Sequence, residues 1–215
     1  MRFDVVTLFP EIFSAVRDCG ITARARMRGL WSMNCWNPRD TATDLHRTID
    51  DRPFGGGPGM VMMAEPLAQT IDAVRASGNR GPILSFAPNG ARLTDARVRE
   101  IAAAKEPIVL VCGRYEGIDE RFLESYVDEV VSLGDFVLSG GELPACALID
   151  AVVRQLPGAI KDLSASDESF ATGLLDAPHY TRPEVWRGVR PSQKHRTVVE
   201  RKKFGAYVAY ASGSH

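Results

Sequence analysis

Three short glycine-bearing segments, residues 88–90 (PNG), 113–117 (GRYEG) and 134–141 (GDFVLSGG), each follow an apolar run and carry Arg114, Glu116 and Asp135 among them. Glycine has no Cβ, so such loops can take positive φ and let a small ligand lie directly on backbone N–H and C=O groups. The third segment belongs to a longer stretch, residues 132–144 (SLGDFVLSGGELP), that runs into a helix. Pro144 suits the first turn of that helix, where its missing N–H would have had no partner. A fourth stretch, residues 50–60 (DDRPFGGGPGM), closes a long aperiodic segment and begins with Asp50, Asp51 and Arg52. Long irregular loops inside compact domains tend to be functional, and this one is expected to be ordered. The chemistry on offer is a backbone cradle with an acid and a cation close by. Nucleoside triphosphate binding is not supported, because the Lys-Ser/Thr of a P-loop is missing. A Rossmann dinucleotide site is disfavoured, because no GxGxxG follows a strand. Cys19, Cys35, Cys112 and Cys146 are widely spaced, with no CxxC pair and no Cys/His cluster at zinc spacing. They are read as reduced, mostly buried thiols, and no metal site is assigned.

The segments that must position these loops alternate between strand and helix. Residues 3–9 (FDVVTLF) read as a strand, Pro10 opens a helix towards Cys19, and a second helix over 22–28 carries Arg24, Arg26 and Arg28. Residues 30–36 alternate as a half-buried strand does. Leu67, Ile71 and Val74 mark an amphipathic helix over 65–76, and residues 83–87 form a strand that ends at the 88–90 turn. Thr94 caps a helix to Ala104, and residues 107–112 (PIVLVC) read as a strand covered on both faces. Another helix and a strand over 127–133 lead into the third loop. Beyond Pro144, the stripe Ala145, Leu148, Ile149, Val152, Val153 and Leu156 is the clearest periodic element, and Pro157-Gly158 stops it. The pattern predicts an α/β fold with a mostly parallel sheet flanked by helices. Ligands sit at the carboxyl ends of the strands in such sheets, where the three loops converge.

With 215 residues, 45% of them hydrophobic and 25% charged, the chain has the size of one sizeable domain plus a small second one. The N-terminus lacks a signal-peptide layout, since Asp4 interrupts the apolar run, and no segment approaches a membrane span. A cytoplasmic protein without a membrane association is expected. The net charge of -1 conceals an asymmetry. Residues 182–215 carry eight Lys or Arg against Glu184 and Glu200, so the tail is +6 and the body is -7. A basic arm on an acidic body suits a polyanionic partner, and a merely solvated helix face is the alternative. Residues 161–169 are polar and read as a linker.

Four motifs together, GGGPGM (55–60), CGRYEGIDER (112–121), GDFVLSGGELP (134–144) and GLLDAPHYTRPEV (173–185), resemble the bacterial tRNA (guanine-37-N1)-methyltransferases of the knotted SPOUT superfamily. The resemblance runs from Met1 to about Arg187. It implies a deep trefoil knot in the second half of the catalytic domain, an exception to the rule that chains do not thread their own loops. It also implies a homodimer with active sites between subunits, tRNA as the substrate and S-adenosylmethionine as the methyl donor, with Mg2+ as a candidate accessory ion. Carried onto matching positions, the donor pocket takes Pro88 and Gly90 from the first loop and Gly113 and Glu116 from the second. From the third it takes Ser132, Leu133, Gly134, Phe136, Leu138, Gly140, Gly141 and Pro144. Glu116 would lie near the methionine end and the target base. Arg154 and the acid of a D-S-F motif would act on guanine. That motif reads Glu168-Ser169-Phe170 here, with Asp167 just before it, so Glu168 is assigned and Asp167 is the alternative. The implied organisation is a knotted catalytic domain over 1–160, a linker over 161–170 and a small, basic, helical tRNA-binding unit over 171–215. After Gly188 the family's usual continuation is not recognisable, which marks that unit as shortened or divergent.

The chemistry agrees with those roles. A sulfonium methyl is already electrophilic, so the chain needs to position two substrates and remove a proton rather than supply a covalent nucleophile. Loss of the N1 proton of guanine pushes charge onto O6, so a carboxylate at N1 and a permanently charged fork of donors at O6 form the required pair. Arg154 could instead pair with Asp150 on its own helix, and Glu168 could be a solvated linker acid. His179 and Tyr180, ahead of Thr181-Arg182-Pro183, offer either base stacking or a cap for the small unit. The competing functions are another knotted RNA methyltransferase, with a different base or a ribose as target, and an RNA-binding relative without chemistry.

Overall fold

The computed structural model describes residues 1–160 and 180–190. The chain divides into two units, Met1–Asp162 and Leu163–His215. In the first, five strands form one sheet in the order β2-β1-β6-β5-β7, parallel throughout: β1 (Arg2–Val6), β2 (Ser32–Trp36), β5 (Ile83–Arg92), β6 (Ile108–Val111) and β7 (Glu129–Ser132). The short strands β3 (Asp50–Asp51) and β4 (Val61–Met62) pair antiparallel in a separate ribbon. The centre of the sheet is β6, whose four residues IVLV are all buried.

Side-chain alternation along the strands gives each face its own core. Phe3, Val5, Leu84, Ile108 and Leu110 point to one face. There they meet α5 (Asp95–Ala104), α7 (Glu142–Gln155) and Ala25 of α2 (Gly20–Met27). Val6, Ile83, Val109 and Val111 point to the other, against Leu67, Ile71 and Val74 of α4 (Ala64–Ala76) and Phe122 of α6 (Glu120–Tyr126). The α7 stripe foreseen from the sequence lies in the first core, with Leu148, Ile149, Val152 and Val153 all at 0% exposure. Burying an aliphatic side chain of this kind contributes roughly 1.5–3 kcal/mol, so α7 is a principal fastener of the sheet. Thr94 caps α5 as expected, its hydroxyl accepting from the Arg97 N–H at 3.3 Å.

Two local expectations are corrected. The helix from Pro10 towards Cys19 is a 3-10 turn (Pro10–Phe13) followed by the one-turn α1 (Ser14–Arg17), and Gly20 at φ +68° restarts the chain as α2. The irregular stretch after Trp36 also contains one more helical turn, α3 (Pro38–Thr41), capped by the Asn37 side chain. In the second unit the described residues are exposed and not helical. Trp186 and Val189 exchange backbone hydrogen bonds across Arg187 (φ +49°) and Gly188 (φ +81°), the two positive φ values of a type I′ turn. The expected linker and most of the expected helical unit lie outside the described residues.

A buried carboxylate ties the sheet to its flanks. Asp4 is fully buried on β1 and accepts from Trp36 Nε1 at 2.8 Å, Asn34 Nδ2 at 3.2 Å, Asn79 Nδ2 at 2.7 Å and Arg2 Nη2 at 3.0 Å. Burial pushes its pKa up, but the Arg2, Asn79, Trp36 and Asn34 donors together outweigh burial and hold it below the ordinary carboxylate value. Asp4→Ala is expected to remove about 3–5 kcal/mol of stability in urea unfolding at neutral pH, because the buried Asn79 and the half-buried Arg2 and Trp36 lose their acceptor, along with the exposed Asn34. A depressed folded pKa makes this contribution complete above the unfolded value, about pH 4. It is lost as pH falls through the folded pKa, so the difference between wild type and variant should shrink there.

Candidate active site

At the carboxyl ends of β5, β6 and β7 lies a cavity of about 470 Å³, within the range that holds a drug-sized ligand. Its walls are the three glycine-bearing loops, with Leu123 and Glu124 of α6 completing one side. The first wall arises from a break in register. Phe86 and Ala91 both pair with Val131, so residues 87–90 bulge out of β5 and the strand then continues to Arg92. The turn predicted to end this strand is thus an interruption within it. Ala87, Pro88 and Asn89 face the cavity from the bulge.

Eleven of the twelve residues expected around a ligand line this cavity: Pro88, Gly113, Glu116, Ser132, Leu133, Gly134, Phe136, Leu138, Gly140, Gly141 and Pro144. Gly90 does not. A Cβ there would stand 2.5 Å from the Val130 carbonyl oxygen and 2.8 Å from the Val131 carbonyl carbon, so this glycine is required by strand packing. The reason for the other glycines also differs from expectation. Gly134, Gly140 and Gly141 do not adopt positive φ. What they lack is room: a Cβ on Gly141 would lie 2.8 Å from the Cys112 Cα, and one on Gly134 would lie 2.9 Å from the Phe136 ring. The GGGPGM loop does use left-handed backbone, at Gly55, Gly56, Gly57 and Gly59, and packs on the second wall. There the Glu116 N–H donates to the Met60 carbonyl at 3.0 Å, and the Glu116 side chain fills the space that a Cβ on Gly59 would need.

Polar groups missed in the sequence bind these walls together. Glu142, the first residue of α7, is 1% exposed and accepts from Thr7 Oγ1 at 2.9 Å. Its Oε2 forms an ion pair with Arg114 Nε at 2.9 Å, off the line of a hydrogen bond, so neither atom has a hydrogen-bond partner. Arg114 Nη1 donates to the Ser139 carbonyl at 3.1 Å, and the guanidinium lies 4.4 Å from the centroid of the Phe9 ring. Thr7 and Glu142 are too distant along the chain for spacing to link the two.

Cys112, one residue beyond β6, is buried beside this wall. Burial first, and then the Glu142 carboxylate, push its thiol well above the ordinary range. The same two causes push Cys146 up to about 11. Among the described residues no group of three or more His, Cys, Asp or Glu side chains is placed to hold a metal ion, so no ligand set for Mg2+ is assigned. Arg154 sits half-buried in the last turn of α7 and does not line the cavity. At a helical rise of about 1.5 Å per residue it stands about 20 Å from Gly141 at the start of the helix. Glu168 and Asp167 lie outside the described residues. Phe136, Val137 and Leu138 of the cavity lining expose large apolar side chains, with Val137 at 84%, as does Leu143 in the first turn of α7. No helix among the described residues is long and apolar enough to cross a membrane.

Comparison with known proteins points to one family. A family model described as tRNA (Guanine-1)-methyltransferase TrmD matches residues 1–198. The tRNA (guanine-N(1)-)-methyltransferase of Thiobacillus denitrificans is 57% identical over 220 residues, spanning 100% of this chain and 90% of the relative. Its counterpart from Pseudomonas syringae pv. tomato is 56% identical over 192 residues, 88% of this chain and 76% of the relative. A crystal structure of tRNA (m1G37) methyltransferase from Aquifex aeolicus superposes with a TM-score of 0.77 at 37% identity, covering 95% of this chain and 88% of that one.

The thiol environments predict a reactivity order. At about pH 8, near the ordinary thiol pKa, a thiol reagent should label the exposed Cys19 rapidly, with Cys35, Cys112 and Cys146 protected until denaturant is added. Peptide mapping of the labelled chain checks this, and fast native labelling of Cys112 would contradict it.

Proposed function

The chain belongs to the tRNA (guanine-N1)-methyltransferase family, and we propose that it transfers a methyl group from S-adenosylmethionine to N1 of guanine-37 of tRNA, 3′ of the anticodon. The observation that carries the site-level reading is the glycine-walled cavity at the carboxyl ends of β5, β6 and β7, where eleven residues expected at a donor pocket converge. The fit is chemical as well as spatial. Backbone groups of residues 113–117 and 132–141 can take the polar edges of an adenosine, and Phe86, Leu133 and Leu138 offer apolar contact to its faces. S-adenosylmethionine supplies a methyl already activated by its sulfonium.

The remaining tasks fall to side chains. Glu168 takes the N1 proton, and Arg154 balances the charge that develops on O6. Asp167 is the alternative base. Arg154 lies about 20 Å along α7 from the cavity mouth. That separation supports a homodimer in which one protomer's Arg154 meets the donor held by its partner. The exposed Phe136, Val137 and Leu143 are suited to such an interface, since apolar side chains concentrated beside a site are usually covered. A trefoil knot in the second half of the catalytic domain follows from the family reading. In this reading residues 1–160 are the catalytic domain, 161–170 a linker and 171–215 a basic tRNA-binding unit, in a cytoplasmic protein.

Methyl-transfer assays on an in vitro tRNA transcript, with mapping of the modified nucleotide, test the reading. Product is expected only when guanine occupies position 37. Arg154→Ala and Glu168→Gln should each abolish transfer, with S-adenosylmethionine binding retained in calorimetry. Wild-type turnover by both variants would sink the assignment of roles. Binding of tRNA and donor by the wild-type chain without product would instead mark a non-catalytic relative.

A further inference from the structure

Glu142 carries a cost that its position does not explain. An acid in the first turn of a helix favours the helix dipole from the surface, yet this one is 1% exposed, and an ionised carboxylate out of water is expensive unless it is paired. Its two partners come from separate parts of the chain, and one of them reaches a third. Thr7 Oγ1, which also accepts from the Phe9 N–H at 3.0 Å, brings in the segment after β1. Arg114 brings in the second wall of the cavity and, through the Ser139 carbonyl, reaches across to the third. Gly140 leaves the space for this meeting: a Cβ there would stand 2.6 Å from Glu142 Oε2 and would collide with Arg114 Nε.

We propose that Glu142 is a positioning residue that clamps the 134–141 loop against the 113–117 loop and so sets the affinity for the methyl donor. The second half rests on the donor reading given above. Glu142 does not touch the reacting atoms. It acts through Arg114, whose guanidinium spans the two walls, and through Thr7, which fixes the carboxylate to the sheet. Arg114 Nε and Glu142 Oε2 are buried atoms without a hydrogen-bond partner, so removing either group leaves the other's charge without its ion-pair partner.

The test uses the full chain with Glu142→Gln, Thr7→Val and the double variant Arg114→Met/Glu142→Gln. Amide hydrogen exchange is followed at residues 138–141 without ligand, and calorimetry gives the Kd for S-adenosylmethionine. Glu142→Gln and Thr7→Val should speed exchange in the loop. They should also weaken donor binding at least about tenfold, the factor carried by ~1.4 kcal/mol, and leave tRNA affinity unchanged in filter binding. The double variant replaces the ion pair by neutral groups, so it should recover much of the thermal stability without recovering donor affinity. Recovery of both would reduce Glu142 to packing and overturn the proposal, as would unchanged exchange and Kd in both single variants. Failure of the wild-type chain to bind S-adenosylmethionine would overturn the donor reading itself, and the exchange measurement would still decide whether the clamp exists.

Discussion

The site depends on main chain meeting main chain without side chains between. At Gly141 the start of α7 lies against the Cα of Cys112, and at Gly90 the end of the β5 bulge lies against the backbone of β7. Side chains ordinarily keep adjacent segments far enough apart for water or apolar groups to enter. Here that separation is absent at two points, which brings the loops around the cavity close together. A methyl group at either position would push a strand or a helix that is itself packed on both sides, and interiors at crystal-like density have little room to yield.

Two carboxylates are buried among the described residues, Asp4 on β1 and Glu142 at the start of α7 against Thr7, and they solve different problems. Asp4 gathers four donors from its own strand, from β2 and from the segment after α4, and its lone pairs are well used. Glu142 is less completely satisfied, with an ion pair off hydrogen-bond alignment and one hydroxyl donor. A saturated network rigidifies the part of the sheet away from the cavity. The less saturated one sits behind the walls of the cavity, beside Gly140 and Arg114, and under-partnered groups tend to collect at functional sites.

Much of the fold was legible because local pattern and tertiary role coincide. The α7 stripe, the IVLV strand and the Thr94 cap each follow from periodicity or capping chemistry that tertiary packing then reinforces. The convergence of the glycine loops on one cavity was legible, while the reason for their glycines was not. Positive φ is the usual account of a glycine, but close approach depends on what lies opposite, and sequence spacing does not reveal that. β5 was cut short for a similar reason: Pro-Asn-Gly is a sound turn signal, and only the pairing with β7 shows the strand resuming beyond it. Thr7 and Glu142 are 135 residues apart, and Asp4 was noticed only as a break in an apolar run. Long-range polar pairs of this kind leave no periodic trace.

The parallel sheet also has a history during synthesis. One edge of β1 is taken by β2, offset by 30 residues, but the other pairs with β6, offset by 105. At bacterial elongation rates of roughly 5–20 residues per second, that second edge waits on the order of 5–20 s for its partner to emerge. Meanwhile Phe3, Val5 and Val6 lack most of their eventual cover, and no loop of the cavity has a sheet to stand on. The site is therefore assembled late, after the central strand and then β7 and the 134–141 loop have emerged.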